Sequence, residues 1–237
     1  MTLENRVAVI AGATGGSGSV VAHSLAERGA NLALLDRNPE RLAALTKALH
    51  LGDSRIFTKT LNLLDPTDTK SSADEVSAKF GRIDILLHLI GGGTGGETII
   101  DAHSDDLTVM LNQHVWSSFF VTQAYVPHLI RNGWGRVVMV TSPFAARPNA
   151  MGGPYAISKS GQEAMMLTLS QELKGSGVTA NLLQAKTIDF KHQKISAPSP
   201  KNTIWTTPEE LADAILFLLS DEAGTINGAK IPLYGSY

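Results

Sequence analysis

Tyr155 and Lys159 have the types and spacing needed to move a proton to or from a substrate oxygen. They lie four residues apart at the start of a predicted helix, so their side chains share one face. A tyrosine with its ordinary pKa of about 10 is a poor acid–base catalyst at neutral pH. A nearby lysine ammonium favours the phenolate, so we expect Lys159 to lower the pKa of Tyr155. Tyr155 would then protonate a carbonyl oxygen as hydride arrives, or act as the base in the reverse step.

Ser142 supplies a third polar group for the same chemistry. It follows a predicted strand and precedes Tyr155 by 13 residues, and its hydroxyl could hold the substrate oxygen. Plainer interpretations stay open at this point. Tyr155 and Lys159 could be a solvated pair, and Ser142 could be a turn residue before Pro143.

A glycine-rich turn near the N-terminus has the composition of a nucleotide-binding loop. Gly12-Ala13-Thr14-Gly15-Gly16-Ser17-Gly18 follows the first predicted strand and opens the first predicted helix. Glycines let the backbone approach a pyrophosphate closely, and a helix N-terminus offers free N–H groups. A tight strand–helix connection without any ligand is the alternative. The candidate contacts in this turn are Gly12, Thr14, Gly16, Ser17 and Gly18.

The end of the second predicted strand bears on which dinucleotide this turn would bind. Asp36 lies 18 residues after Gly18, where a carboxylate can bind both ribose hydroxyls and repel a 2′-phosphate. Arg37 has the opposite preference, because a guanidinium could accept that phosphate. Asp36 could instead cap the helix that begins at Pro39, although Asn38 is better placed for this. We favour NAD over NADP as the cofactor.

The hydrophobic pattern predicts one α/β domain over residues 1–237, with a doubly wound parallel sheet between two layers of helices. Nearly continuous apolar runs, typical of strands covered on both faces, alternate with helix-length segments. The predicted strands cover 6–11, 31–36, 55–61, 83–90, 136–141, 178–184 and 230–233. The predicted helices cover about 16–29, 39–50, 66–80, 105–131, 153–175 and 208–220. Residues 185–206 fit neither pattern and are predicted to form a loop.

Composition excludes several other classes of protein. The chain has no cysteine, which removes disulfides, thiol catalysis and cysteine-based metal sites, and we predict no metal site of any kind. A net charge of −2 gives no bulk attraction to nucleic acid or to a membrane surface. The sequence also lacks the pattern of a secretory signal and any apolar run long enough to span a bilayer. We therefore expect a soluble cytoplasmic protein.

Together these features resemble the short-chain dehydrogenase/reductase family, over essentially the whole chain. Gly12-x-x-x-Gly16-x-Gly18 is similar to that family's cofactor motif, and Ser142, Tyr155 and Lys159 match its catalytic trio. The resemblance implies a Rossmann-like fold with about seven parallel strands, NAD(P)-dependent hydride transfer on a small alcohol or ketone, and a homo-oligomer, either a tetramer or a dimer. It also implies that the cofactor contacts Tyr155, Lys159, Asn62, Leu63, Ile90, Gly91 and Ile188.

Several positions depart from the family pattern. His114 stands where the family has a catalytic asparagine, although Asn112 lies two residues earlier. A histidine can donate, accept and titrate near neutral pH, so His114 could relay protons, or it could simply pack in an apolar helix. His88-Leu89-Ile90-Gly91 replaces an Asn-Asn-Ala-Gly sequence, and Ala185-Lys186 replaces a Pro-Gly pair. The resemblance implies that residues 185–206 form the substrate loop, here a short one, which implies an open site, a loop supplied by a neighbouring subunit, or a lost activity.

Two functions are therefore compared with the structure. The first is an NAD(P)-dependent oxidoreductase that interconverts an alcohol and a ketone, with Tyr155 as general acid/base. The second is a cofactor-binding protein without catalysis, acting as a nucleotide sensor or as the partner subunit of an active homologue. The intact trio favours the first function, and the altered loop motivates the second.

Overall fold

Seven strands form one sheet in the computed structural model, which describes residues 2–234. Their order across the sheet is β3-β2-β1-β4-β5-β6-β7, and every neighbouring pair is parallel. The order reverses between β1 and β4, so the predicted doubly wound, Rossmann-like fold is confirmed. The strands are β1 (Val7–Ala11), β2 (Asn31–Asp36), β3 (Ile56–Thr60), β4 (Ile85–His88), β5 (Gly135–Thr141), β6 (Val178–Gln184) and β7 (Lys230–Pro232).

Helices cover both faces of the sheet and bury two apolar clusters against it. The helices are α1 (Gly16–Glu27), α2 (Pro39–Leu49), α3 (Pro66–Phe80), α4 (Ser104–Leu111), α5 (Ser117–Arg131), α6 (Gly153–Glu172), α7 (Gln193–Ser196) and α8 (Pro208–Leu219). Side chains of α1, α2 and α8 pack on one face, and those of α3, α5 and α6 on the other. Every residue of β1 is buried, as expected for a strand covered on both sides. None of the described helices is long and apolar enough to cross a membrane.

Helix starts follow the capping chemistry expected from the sequence. Asn38 Oδ1 accepts a hydrogen bond from the N–H of Arg41 at 2.8 Å, immediately before α2. Thr207 and Glu210 form a reciprocal capping box at the start of α8. Each bond satisfies an N–H group that the first turn of a helix leaves without an internal partner.

Two elements differ from the predictions. The single helix predicted over 105–131 is divided into α4 and α5 by a π-helical turn at Asn112–Trp116. Apolar periodicity does not reveal one extra residue in a helical turn, and such turns are rare and concentrate at functional sites. The loop predicted over 185–206 contains the short helix α7. Its first turn is held by the Asp189 carboxylate, which accepts from the N–H groups of Gln193 and Lys194 at 3.0 and 2.7 Å.

Candidate active site

The carboxyl ends of three central strands bring the candidate residues together. Gly12 follows β1, His88 ends β4, and Ser142 follows β5. Strand β4 pairs with β1 on one side, with Ala11 opposite His88, and with β5 on the other. Ligands of open α/β sheets bind at this edge, where the strand order reverses. The topology thus places the glycine turn and Ser142 where a ligand site is expected.

The glycine turn leaves room and donors for an anion. Gly12 has a φ of +83°, and a Cβ added to Gly18 would lie 2.2 Å from the main-chain oxygen of Gly12. A Cβ on Gly12 would lie 2.9 Å from Ile90 Cγ1. Within residues 2–234, the N–H groups of Gly16, Ser17 and Gly18 have no hydrogen-bond partner. Free N–H groups at a helix N-terminus attract phosphate, so this cradle fits the pyrophosphate of a dinucleotide.

Asp36 holds the glycine turn in shape. Its Oδ2 atom accepts from the N–H of Thr14 at 3.0 Å and from the Thr14 hydroxyl at 2.7 Å, and Oδ1 accepts from the N–H of Arg37 at 2.8 Å. Arg41, which sequence reasoning missed, donates from Nη2 to the main-chain oxygen of Thr14 at 2.5 Å. Asn38, rather than Asp36, caps α2. Asp36 is thus anchored beside the turn with its carboxylate at the end of β2.

Ser142, directly after β5, and Tyr155, in the first turn of α6, lie near each other, close enough for the serine hydroxyl to influence the pKa of the phenol. Ser142 is fully buried, and its Oγ also accepts from the N–H of Phe144 at 3.3 Å, so it is a turn residue as well as a site residue. Burial raises the pKa of Tyr155, whereas the neighbouring Ser142 hydroxyl acts in the opposite direction. The pKa of Tyr155 is therefore raised and not lowered as the sequence predicted, because burial is the largest effect and Lys159 is not among the groups that shift it.

Lys159 points into the protein. Its Nζ atom donates to the main-chain oxygen of Val140 at 2.9 Å and to Oε1 of Gln162 at 3.0 Å. The residue is 3% exposed, and burial lowers its pKa to about 7, against the opposing effect of Glu163. Lys159 therefore exchanges between ammonium and amine near neutral pH, which its residue type alone does not predict.

His114 lies on the π-helical turn, fully buried and edge-on to the ring of Tyr155, with ring centroids 5.6 Å apart. Its Nδ1 atom is 2.9 Å from Ser158 Oγ, and the Ser158 hydroxyl donates its own hydrogen to the main-chain oxygen of Tyr155 at 2.8 Å. Nδ1 must therefore carry the proton, and Nε2 is an acceptor without a partner among the described residues. Burial and Lys159 lower the pKa of His114 to about 3, so the expectation that it titrates near neutral pH is wrong.

The match to known proteins decides the family. A family model described as short chain dehydrogenase matches residues 6–198.

The chain belongs to the short-chain dehydrogenase family.

Relatives of this short-chain dehydrogenase are named oxidoreductases. It is 29% identical to 3-oxoacyl-[acyl-carrier-protein] reductase FabG of Thermotoga maritima, over 99% of this chain and 98% of the relative. It is 30% identical to D-threitol dehydrogenase of Mycolicibacterium smegmatis, over 99% of this chain and 94% of the relative. The solved structure of carveol dehydrogenase from Mycobacterium avium in complex with NAD has the same fold, with a TM-score of 0.86 and 24% sequence identity. The match covers 99% of this chain and 98% of the carveol dehydrogenase chain. The chain is accordingly an enzyme of the oxidoreductase class.

His88 is a second buried histidine in this short-chain dehydrogenase, and its side chain was not among the expected site residues. Its Nε2 atom lies 2.9 Å from Ser117 Oγ, and the Ser117 hydroxyl donates its hydrogen to the main-chain oxygen of Gln113 at 2.6 Å. Nε2 therefore carries the proton, and Nδ1 has no partner within residues 2–234. Burial and Lys159 lower the pKa of His88 to about 3. The signal for it was its position as the last residue of a strand at the ligand edge.

The remaining expected cofactor contacts lie at the same edge with different exposure. Asn62 is exposed and accepts from the N–H of Leu64 at 3.1 Å, whereas the Leu63 side chain is buried in the core. Ile90 is half-buried against Gly12, and Gly91 is exposed. The structure thus brings Ile90 to the glycine turn, while Leu63 offers only its main chain.

The loop over residues 185–206 folds back onto the glycine turn. Ile188 forms an isolated parallel bridge with Thr206, which ties the two ends of the loop together. Phe190 lies against Gly16, since a Cβ added there would be 2.4 Å from Phe190 Cδ1. The Phe190 ring is nonetheless 57% exposed. A short loop was expected to leave the site open. Phe190 instead partly covers the first turn of α1.

A second glycine run, Gly91–Gly96, covers the other side of Tyr155. A Cβ added to Gly93 would lie 3.4 Å from Tyr155 Cδ2. The N–H of Gly96 donates to the Met151 oxygen at 2.8 Å, two residues before α6 begins. A backbone without side chains therefore packs directly against the phenol ring, which narrows the space above it.

Proposed function

We propose that this oxidoreductase interconverts an alcohol and a ketone, with Tyr155 as general acid/base. The observation that supports it is the placement of Tyr155 beside Ser142 at the strand edge that also carries the glycine turn. A carbonyl or hydroxyl oxygen that meets both hydroxyls can exchange a proton with Tyr155 while Ser142 donates a second hydrogen bond.

The other site residues act on Tyr155 and on the cofactor. A bound nicotinamide dinucleotide would supply or accept the hydride. Lys159 has one N–H beyond the two that bond to Val140 and Gln162, and we assign it to the cofactor ribose. His114 acts as a neutral relay, because its free Nε2 acceptor can hold the hydrogen of a water or hydroxyl beside Tyr155.

The cofactor proposed is NAD, with NADP as the alternative. Support comes from the Asp36 carboxylate at the end of β2, beside the Thr14 hydroxyl, while Arg37 is exposed at the next position. A carboxylate there binds ribose hydroxyls and repels a 2′-phosphate. The proposed cofactor contacts are Gly12, Thr14, Gly16, Ser17, Gly18, Asp36, Arg37, Asn62, Leu63, Ile90, Gly91, Tyr155, Lys159 and Ile188. A small-molecule substrate, a homo-oligomer and a cytoplasmic location complete the proposal.

Turnover by a panel of alcohols and ketones tests this function. Each compound is incubated with the protein and either NAD(H) or NADP(H), and nicotinamide absorbance is followed. The expected result is substrate-dependent oxidation or reduction for at least one member, faster with NAD(H). No absorbance change with any member, alongside calorimetric binding of the cofactor, would instead support the second function.

That second function, cofactor binding without catalysis, has one observation in its favour. Phe190 lies against Gly16 over the first turn of α1, so a nucleotide bound there would have to displace its ring. A nucleotide sensor needs two states that a ligand distinguishes in this way. The intact Ser142–Tyr155 pair favours the enzyme, because a sensor has no use for a proton donor at that position.

A further inference from the structure

Glu163 shares one face of α6 with Tyr155 and Lys159. The three residues are spaced by four, so their side chains project from the same side of the helix. Glu163 is only 5% exposed. A buried carboxylate is costly unless it is fully hydrogen-bonded or paired with a cation, so its partners indicate what it is retained for.

The partners of Glu163 come from three neighbouring strands. Its Oε1 atom accepts from the Thr141 hydroxyl at 3.0 Å, at the end of β5, and from Nε2 of Gln184 at 3.2 Å, at the end of β6. Its Oε2 atom accepts from Nζ of Lys230 at 3.0 Å, at the start of β7. Thr141 directly precedes Ser142. Glu163 therefore fixes the strand end that carries the serine.

Glu163 is also the negative charge that opposes the loss of the Lys159 proton. Burial lowers the pKa of Lys159 to about 7, and Glu163 acts in the opposite direction. The other ionisable groups facing this lysine are His88 from β4, His114 from the π-helical turn and Tyr155 from α6; both histidines have pKa values near 3 and are uncharged. Lys230 forms a salt bridge with the same carboxylate.

We propose that Glu163, held by Lys230, is a positioning residue: its bond to Thr141 fixes Ser142, and its carboxylate, one turn of α6 from Lys159, acts on the charge of that lysine. Glu163 touches neither substrate nor cofactor and acts through these two residues. Its catalytic consequence rests on the proposed function. Its effect on Lys159 does not, because the two side chains lie one turn apart on the same face of α6 whatever reaction the protein catalyses.

The test is an NMR titration of the cofactor-free protein with ¹³C-labelled lysine side chains. The Lys159 signal is assigned by its loss in Lys159→Met. Glu163→Gln is nearly isosteric and should move the Lys159 midpoint down by about one pH unit. Lys230→Met frees the carboxylate from its competing cation and should move the midpoint up. Glu172→Gln, an exposed change on the same helix, is the control and should leave the midpoint unchanged.

Opposite shifts separate this role from a purely structural one. If Glu163 had only a structural role, Glu163→Gln would lower the stability of the protein without moving the Lys159 midpoint, and that result would overturn the proposal. A downward shift in Lys230→Met also overturns it. If Glu163→Gln does not fold, Lys230→Met decides alone: an upward shift supports the proposal and no shift contradicts it. A protein that is inactive on every substrate would contradict the proposed function. The Lys159 titration could still be measured and would still test the role of Glu163.

Discussion

The Nζ atom of Lys159 lies 2.9 Å from the main-chain oxygen of Val140 and donates a hydrogen bond to it. This bond ties α6 to β5 two residues before Ser142. Lys159 thereby holds the helix that carries Tyr155 against the strand that carries Ser142. The pair on which the proposed chemistry depends is thus aligned by the buried lysine before any cofactor binds.

Gly18→Ala should disrupt the glycine turn and with it cofactor binding. The new methyl group would lie 2.2 Å from the main-chain oxygen of Gly12, which neither backbone can accommodate without moving. We expect destabilisation of about 1–3 kcal/mol and a large loss of cofactor affinity. Thermal unfolding and calorimetry measure the two effects. Gly52→Ala is the matched control, since a Cβ there meets nothing within 4 Å and should change neither.

Asp36→Asn should weaken the preference for NAD over NADP. The substitution keeps the shape of the side chain but removes the negative charge that would repel a 2′-phosphate. We expect the ratio of the two dissociation constants to change by about tenfold toward NADP, corresponding to about 1.4 kcal/mol. Arg37→Gln should change the ratio the other way. An unaltered ratio in Asp36→Asn would remove Asp36 from cofactor selection.

Phe190→Ala should ease entry of the cofactor. The ring lies against Gly16 over the first turn of α1, where the free N–H groups are. Apparent affinity is reduced by the fraction of molecules with the turn covered, so an uncovered fraction of one tenth gives a gain on the order of tenfold. Stopped-flow fluorescence measures the association rate. Ile195→Ala, an exposed change on α7, is the control, and equal rates in both variants would contradict a covering role.

His88 and His114 should make the protein sensitive to acid. Their folded-state pKa values are about 3, well below the ordinary 6.5, so the unfolded chain takes up protons between pH 6.5 and 3 that the folded chain does not. The free energy of unfolding therefore falls as pH falls through this window, by up to about 1.4 kcal/mol per pH unit for each histidine. Urea unfolding at several pH values measures the slope. His88→Asn should flatten it, whereas His23→Asn, at an exposed position, should not.

Much of the fold and of the site's location could be predicted from the sequence, because local signals carried them. The strands are nearly continuous apolar runs, and Asn38 and Thr207 mark helix starts by side-chain chemistry that acts within a few residues. The grouping of Gly12 and Ser142 followed from parallel topology, since both come directly after strands. These inferences need no knowledge of contacts between distant segments.

The electrostatics of the site could not be predicted in this way. The pKa values of Lys159 and His114 depend on burial and on charges such as Glu163, which lies close only after α6 packs on the sheet. The π-helical turn that carries His114 leaves no mark in the apolar pattern. The contact of Phe190 with Gly16 joins segments far apart in the chain. All of these features arise from tertiary packing, which residue types and their spacing along the chain do not predict.

The most direct test of the account compares Tyr155→Phe with the unaltered protein on the best substrate from the panel. The change removes one hydroxyl and leaves the ring that packs against Gly93 and His114. Loss of general acid–base catalysis should lower kcat by about 10²–10⁴-fold, while calorimetry should show nearly unchanged cofactor affinity. Turnover by Tyr155→Phe at the rate of the unaltered protein would contradict the assignment of Tyr155 as the proton donor.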